Sequence, residues 1–203
     1  TETLEMPKPD KTKLRKWDFD TFKQHHTTGD AYTQLTDLPK SVKEIIDVEN
    51  SENLIIQHNN ELAYTQVSDQ AKHDGVIIEG LSEALVNHSD LVQKYFMTKA
   101  VDVDEHRLTA LHTALVNGGI FVYVPKNTVV EHPIQYVVLH DDEQASFYNH
   151  VIIVTEESAE VTYVENYLST TSGEDNQLNI VSEVIAGANS NVTYGSVDYL
   201  DKG

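Results

Sequence analysis

Gly118-Gly119-Ile-Phe-Val-Tyr-Val-Pro-Lys-Asn-Thr-Val-Val-Glu-His-Pro-Ile-Gln135 is the stretch where the character of the chain changes. Upstream of the two glycines, Leu108, Leu111 and Leu115 recur at helical spacing. Downstream, Ile120, Val122 and Val124 alternate with Phe121 and Tyr123, as the two-residue period of a strand requires, and the aliphatic set is expected to face inward. Further apolar and β-branched runs follow at 134–140, 147–154, 161–165, 178–186 and 192–197, separated by polar turns.

These runs are related to one another. Val124-Pro-Lys-Asn-Thr-Val-Val-Glu131 aligns with Val154-Thr-Glu-Glu-Ser-Ala-Glu-Val161, and that with Ile185-Ala-Gly-Ala-Asn-Ser-Asn-Val192, at offsets of 30 and then 31 residues. The last two copies continue as Val161-Thr162-Tyr163 and Val192-Thr193-Tyr194, so the match extends beyond apolar character. Strands joined by polar turns at a fixed period predict a mainly β fold, a right-handed parallel β-helix whose coils bury their inner faces by stacking, with a β-sandwich as the competitor. The expected division is an amino-terminal α/β region with helices over 1–117 and the first solenoid coils over 118–203. The repeat is still running at Gly203, which reads as truncation.

Working back from the glycines, the uncharged run 108–125 has the length of a membrane span, but His112, Asn117 and the glycine pair interrupt it, so it reads as a helix followed by a strand. Earlier, 54–57 and 62–67 read as strands around an Asn59-Asn60 turn, and 76–79 as a third strand. Helices are expected after Ser82, from Ser89-Asp90, and from Asp102 or Asp104 to Asn117. The first 40 residues carry Trp17, Phe19 and Phe22 among charges and read as irregular chain anchored by aromatic rings.

The formal charge of -19, from 33 acidic and 14 basic residues, disfavours nucleic acid and anionic lipid as partners. The absence of cysteine excludes a disulfide framework, a thiolate zinc site and a cluster bound by this chain's own thiolates. No signal peptide is visible in the polar first residues, so cytoplasmic residence is the expectation.

The 118–135 segment resembles the lead-in to the β-helix of the SufB/SufD family of iron–sulfur cluster assembly scaffold proteins of the SUF system. There a Gly-Gly turn leads to an aromatic-rich strand, a Val-Pro turn and a proline-containing second strand. The coil beginning at His150-Val-Ile-Ile-Val-Thr and the Trp17-Asp18-Phe19-Asp20 box are similar to the same family. At Glu165-Asn166-Tyr167, Tyr167 stands where one branch of the family tends to carry cysteine, which places this chain in the cysteine-free branch. The resemblance implies a non-catalytic scaffold subunit that works with a SufB-like subunit and with the SufC ATPase, the latter through carboxy-terminal helices outside this chain. A second copy of the chain is a further candidate partner. No cofactor is expected on this chain alone, and an iron–sulfur cluster only transiently, in the complex.

The residues themselves suggest no catalytic or cofactor-binding set, and the metal question stays open. Asp102 and His106 sit four apart on the expected helix and could meet at one ion, although helix capping by Asp102 is the simpler role. Side chains of the adjacent His25 and His26 diverge in regular structure. His132 and His150 lie in the strand region, where turn or core roles compete with iron. Glu156, Glu157, Glu160 and Glu165 could hold a hard cation or form a solvated rim. A β-helix enzyme acting on polysaccharide is the alternative function, but only Arg107, Lys126 and Lys202 are basic beyond residue 100, which leaves it few bases. A permease component is a third, opposed by the broken apolar run.

Overall fold

A computed structural model describes residues 3–9, 11–14, 17–19, 21–24, 31–142, 145–169 and 177–200. Its described strands are β1 (Asn53–His58), β2 (Glu61–Gln66), β3 (Ile77–Gly80), β4 (Gly118–Val124), β5 (Ile134–His140), β6 (Phe147–Thr155), β7 (Glu160–Ser169), β8 (Leu178–Ala186) and β9 (Asn191–Tyr199). The described helices are α1 (Lys40–Lys43), α2 (Asp69–His73), α3 (Leu81–Asn87), α4 (Ser89–Tyr95) and α5 (Arg107–Leu115).

Two sheets result, in the order β2-β1-β5-β7-β9 and β3-β4-β6-β8. Both are mixed: β2 is antiparallel to β1 and β3 antiparallel to β4, whereas β1, β5, β7 and β9 run parallel, as do β4, β6 and β8. This corrects the expected fold class. The chain is mixed α/β with two mixed sheets and several helices, not a mainly β right-handed parallel β-helix. The reason lies in the early strands, which the repeat could not reveal because they precede it: β1 pairs with β5, and β3 closes the edge beside β4. The self-similarity appears as register instead. Val161 pairs with Val192 and Tyr163 with Tyr194, while Val124 pairs with Thr155, one residue beyond the Val154 matched in the alignment.

The inner faces of the two sheets meet in one core containing Ile55, Ile120, Val122, Val124, Ile134, Tyr136, Ile153, Val161 and Tyr163, so the alternating aliphatic set does face inward. The outer faces are covered as well. Leu38, Val42 and Ile46 pack on Leu54, Ile56 and Val137 of the first sheet, and Leu81, Ala84, Val92 and Tyr95 pack on Phe121, Ile152 and Val154 of the second. Every residue of β5 and β6 is therefore buried, which is why these strands read as continuous apolar runs.

Local signals placed the elements with small shifts. Asn59 adopts φ 54 at the β1–β2 turn, a conformation asparagine tolerates. Ser82 lies inside α3, whose N-cap is Gly80. Helix α5 starts at Arg107 and is capped by His106, whose ring accepts from the Thr109 N–H while Thr109 Oγ1 accepts from the His106 N–H. No described helix is long and apolar enough to cross a membrane. Trp17 is 62% exposed and stacks on Phe19, whereas Phe22 reaches the ring of Tyr148 on β6.

Candidate functional site

On the outer face of the second sheet, beneath α5 and the turn that follows α4, three ionisable groups with no exposed surface form a chain. His112 Nε2 of α5 lies 2.9 Å from His150 Nδ1 of β6, and His150 Nε2 lies 2.9 Å from Glu183 Oε1 of β8. At the near end, His112 Nδ1 meets Asn179 Oδ1 at 2.8 Å. At the far end, Glu183 accepts from the backbone N–H of Met97 at 2.7 Å and of Val101 at 3.2 Å. Phe96 packs on His150, with ring centroids 4.5 Å apart.

Sequence reasoning found His150 but neither of its neighbours. Glu183 shares the outer face with Ile185, as a two-residue period dictates, and a lone carboxylate in a strand gave no sign of burial. Gly119 makes the approach of β4 to β6 possible: its φ is +144, and a Cβ there would collide with the His150 carbonyl.

The electrostatics follow from burial. His112 is pushed down to about 4, first by desolvation and then by the neighbouring His150. For Glu183, burial alone would raise the carboxyl, but hydrogen bonds from His150 and from the Met97 and Val101 N–H groups hold it below its ordinary value. The four ring nitrogens of the histidine pair are all engaged in hydrogen bonds, and among the described residues no group of three His, Cys, Asp or Glu is arranged for a metal. The arrangement can hold a proton and orient a turn.

A second polar network runs between the sheets. Gln57 accepts from Tyr136 at 2.6 Å, Tyr136 also reaches Asn149 at 3.2 Å, and Asn149 donates to the Tyr167 hydroxyl at 2.9 Å. Tyr167, at the position where a thiol was considered, is thus a satisfied core phenol, and burial raises its hydroxyl far above the usual range. Glu165 accepts from Tyr163 at 3.1 Å and from Tyr194 at 2.5 Å, and burial raises its carboxyl despite these bonds.

The other candidates disperse. Asp102 accepts from the Asp104 N–H, and His106 caps α5, so the two do not converge. His132 lies 3.5 Å from Glu52. Glu156 accepts from Tyr95 and Tyr123, Glu157 pairs with Lys126, Glu160 is exposed and Glu165 is buried. His25, His26 and Lys202 lie outside the described residues. A further contact that the sequence did not suggest joins His58 Nε2 to Asp141 at 2.8 Å, with Tyr32 3.3 Å from the other ring nitrogen.

Two mixed sheets with buried polar networks on and between them define a mixed α/β protein. Comparison with known families makes this specific. The SufBD protein N-terminal region matches residues 30–136, and the SUF system FeS cluster assembly, SufBD core domain matches 137–203. The chain belongs to the SufB/SufD family. It is 50% identical over 203 residues to the iron–sulfur cluster assembly protein SufD of Bacillus subtilis (strain 168), which covers 100% of this chain and 46% of the relative. An iron–sulfur cluster assembly SufBD family protein of Staphylococcus saprophyticus is 27% identical over 141 residues, covering 70% of this chain and 30% of the relative. The chain thus spans less than half the length of these curated relatives.

Proposed function

We propose that this protein is a SufD-like scaffold subunit of iron–sulfur cluster assembly, non-catalytic and resident in the cytoplasm, that acts with a SufB-like subunit and the SufC ATPase. The observation that carries the reading is the 50% identity to a SufD protein across all 203 residues, beginning to end. The lack of cysteine in these 203 residues supports the reading, because cluster retention needs soft thiolate ligands, which would have to come from outside this stretch of chain.

The test is affinity purification of the full-length gene product from its own cell, followed by anaerobic reconstitution with ferrous iron and sulfide. A complex containing a SufB-like and an ATPase subunit is expected, with a cluster appearing only in the complex. A stable cluster with thiolate-type spectra on the isolated subunit, or purification without either partner, overturns the reading.

A further inference from the structure

The basic residues of this acidic chain are not evenly spread. Lys8, Lys11, Lys13, Arg15 and Lys16 fall in one stretch opposed only by Asp10, and Trp17, the single tryptophan, follows at once, in a chain whose formal charge is -19. Scaffolding of a cluster makes no use of that island. Its described members Lys8 and Lys13 line an open-mouthed cavity of about 820 Å³ between the amino-terminal segment and α5, within the ~300–1,000 Å³ range of small-molecule sites.

The cavity is held in place from both sides. Arg107, the first residue of α5, forms part of its wall and donates its N–H to the Glu5 carbonyl at 2.9 Å. Further along the segment, Gln177 donates to the Asp18 carbonyl, and Lys23 and Ser146 exchange two hydrogen bonds. One part of the lining is aromatic. Trp17 stacks on Phe19 with ring centroids 6.0 Å apart and 13° between the planes, yet the indole stays 62% exposed, which leaves ring surface for a ligand. The other part is cationic: Lys8, Lys13 and Arg107 stand against Glu5, the one carboxylate among the described lining residues. Lys8 pairs with Glu5 at 2.8 Å, but both side chains are more than four-fifths exposed, so water screens the pair and it yields readily to a stronger anion.

We propose that this cavity binds a small anion bearing a planar ring, of the nucleoside phosphate class, with the ring on Trp17 and the phosphates held by Lys8, Lys13 and Arg107. An exposed indole offers a stacking platform that accepts any base, and lysine and arginine supply the charge-assisted contacts that phosphate oxygens take. The charge distribution favours a small ligand over a nucleic acid. A long polyanion would run beyond the basic island into the field of an acidic surface, whereas a ligand confined to the cavity feels mainly the charges within a Debye length, ~8 Å at physiological salt.

Equilibrium dialysis of the isolated full-length subunit, with no ATPase present, tests the site with ADP, adenosine and inorganic phosphate as separate probes. ADP is expected to be retained, and adenosine and phosphate each to bind about tenfold more weakly or worse, because each offers half of the chemistry. Trp17→Ala should weaken ADP about tenfold, as the loss of one base–aromatic stack does. Lys13→Glu should weaken ADP and flatten its salt dependence without moving the thermal midpoint, since Lys13 is exposed. No retention of ADP at millimolar concentration, equal affinity for ADP and phosphate, or ADP binding that either variant leaves unchanged overturns the proposal.

Discussion

The Gly119 N–H donates to Gln57 Oε1 at 3.0 Å, tying the two sheets together through one buried side chain. Gln57 also accepts from Tyr136 and donates to the Asn59 carbonyl at 2.8 Å, so all of its polar atoms are used inside the core. Gln57→Leu keeps the volume and removes every bond. It leaves the Gly119 N–H without this partner, whereas Tyr136 keeps Asn149. A loss of about 3 kcal/mol in urea unfolding is expected, since each buried group left unpaired costs ~1–3 kcal/mol. An unchanged midpoint would show that water replaces the amide.

Gly119→Ala tests the approach of β4 to β6. The backbone there is in a region where side chains are strained, and the added carbon meets the His150 carbonyl, part of a paired strand that cannot retreat. The expected cost is at least ~3 kcal/mol, with little folded protein recovered at 37 °C. Ala at Gly195, where nothing lies within 4 Å, is the control and should leave the thermal midpoint nearly unchanged.

How much of this was legible in the sequence depends on where each signal resides. The β1–β2 turn announced itself through Asn59-Asn60, and the runs from 118 onward correspond to β4–β9 within a few residues, because β-branched runs and asparagine turns are local chemistry. What the sequence hid is partnership. Nothing in Asn53–His58 says that it lies beside Ile134–His140 rather than in a separate region, and with that pairing unseen the sheets could not be recognised as mixed. The short α2 gives no helical signal in the sequence, since one turn capped by Ser68 buries only Ala71 and has no apolar face to show. His112 looked like an interruption of an apolar helix. Its role depends on β6 and β8, which are remote in sequence.

Acid should destabilise the fold through the buried His112–His150–Glu183 chain. His112 titrates near 4 when folded and at 6.5 when unfolded, so between these values the unfolded chain binds more protons. Stability present above pH 6.5 is thus lost as pH falls toward 4, by about 3 kcal/mol at 1.36 kcal/mol per unit. The lowered Glu183 acts in the same direction at the acid end, because its contribution disappears as pH drops through its folded value. Urea midpoints from pH 7 to pH 4 in wild type and His112→Gln provide the measurement. A wild-type slope that the variant does not flatten would assign the acid sensitivity elsewhere.

Glu165 predicts the opposite sign. Its carboxyl is raised by burial, so the folded chain holds a proton that the unfolded chain releases above 4.5, and stability falls as pH rises through the folded value. Glu165→Gln removes this ionisation while keeping an acceptor for Tyr163 and Tyr194. The variant is expected to lose less stability than wild type between pH 4.5 and 7, measured by thermal midpoint at each pH. Parallel profiles would mean that Glu165 is ionised at no net cost.

Tyr167→Cys asks whether this position is a thiol site missing only its sulfur. The phenol is 1% exposed, sits in the inter-sheet core, and takes a hydrogen bond from Asn149, with the Tyr136 ring packed edge-on at 6.5 Å. Replacing it by cysteine deletes an aromatic ring and leaves the Asn149 amide only a weak acceptor, so the expected cost is about 3–5 kcal/mol, the range for emptying a large aromatic site in a packed core. Among the described residues no cationic group acts at this position to favour a thiolate, and Glu165 two residues away on the same strand opposes it. Reaction with a disulfide reagent should therefore proceed only as fast as the protein unfolds, measured by comparing labelling with unfolding rates in urea. Rapid labelling of the native variant would mean that the interior is accessible at Tyr167, and that tyrosine here closes a route a thiol could use.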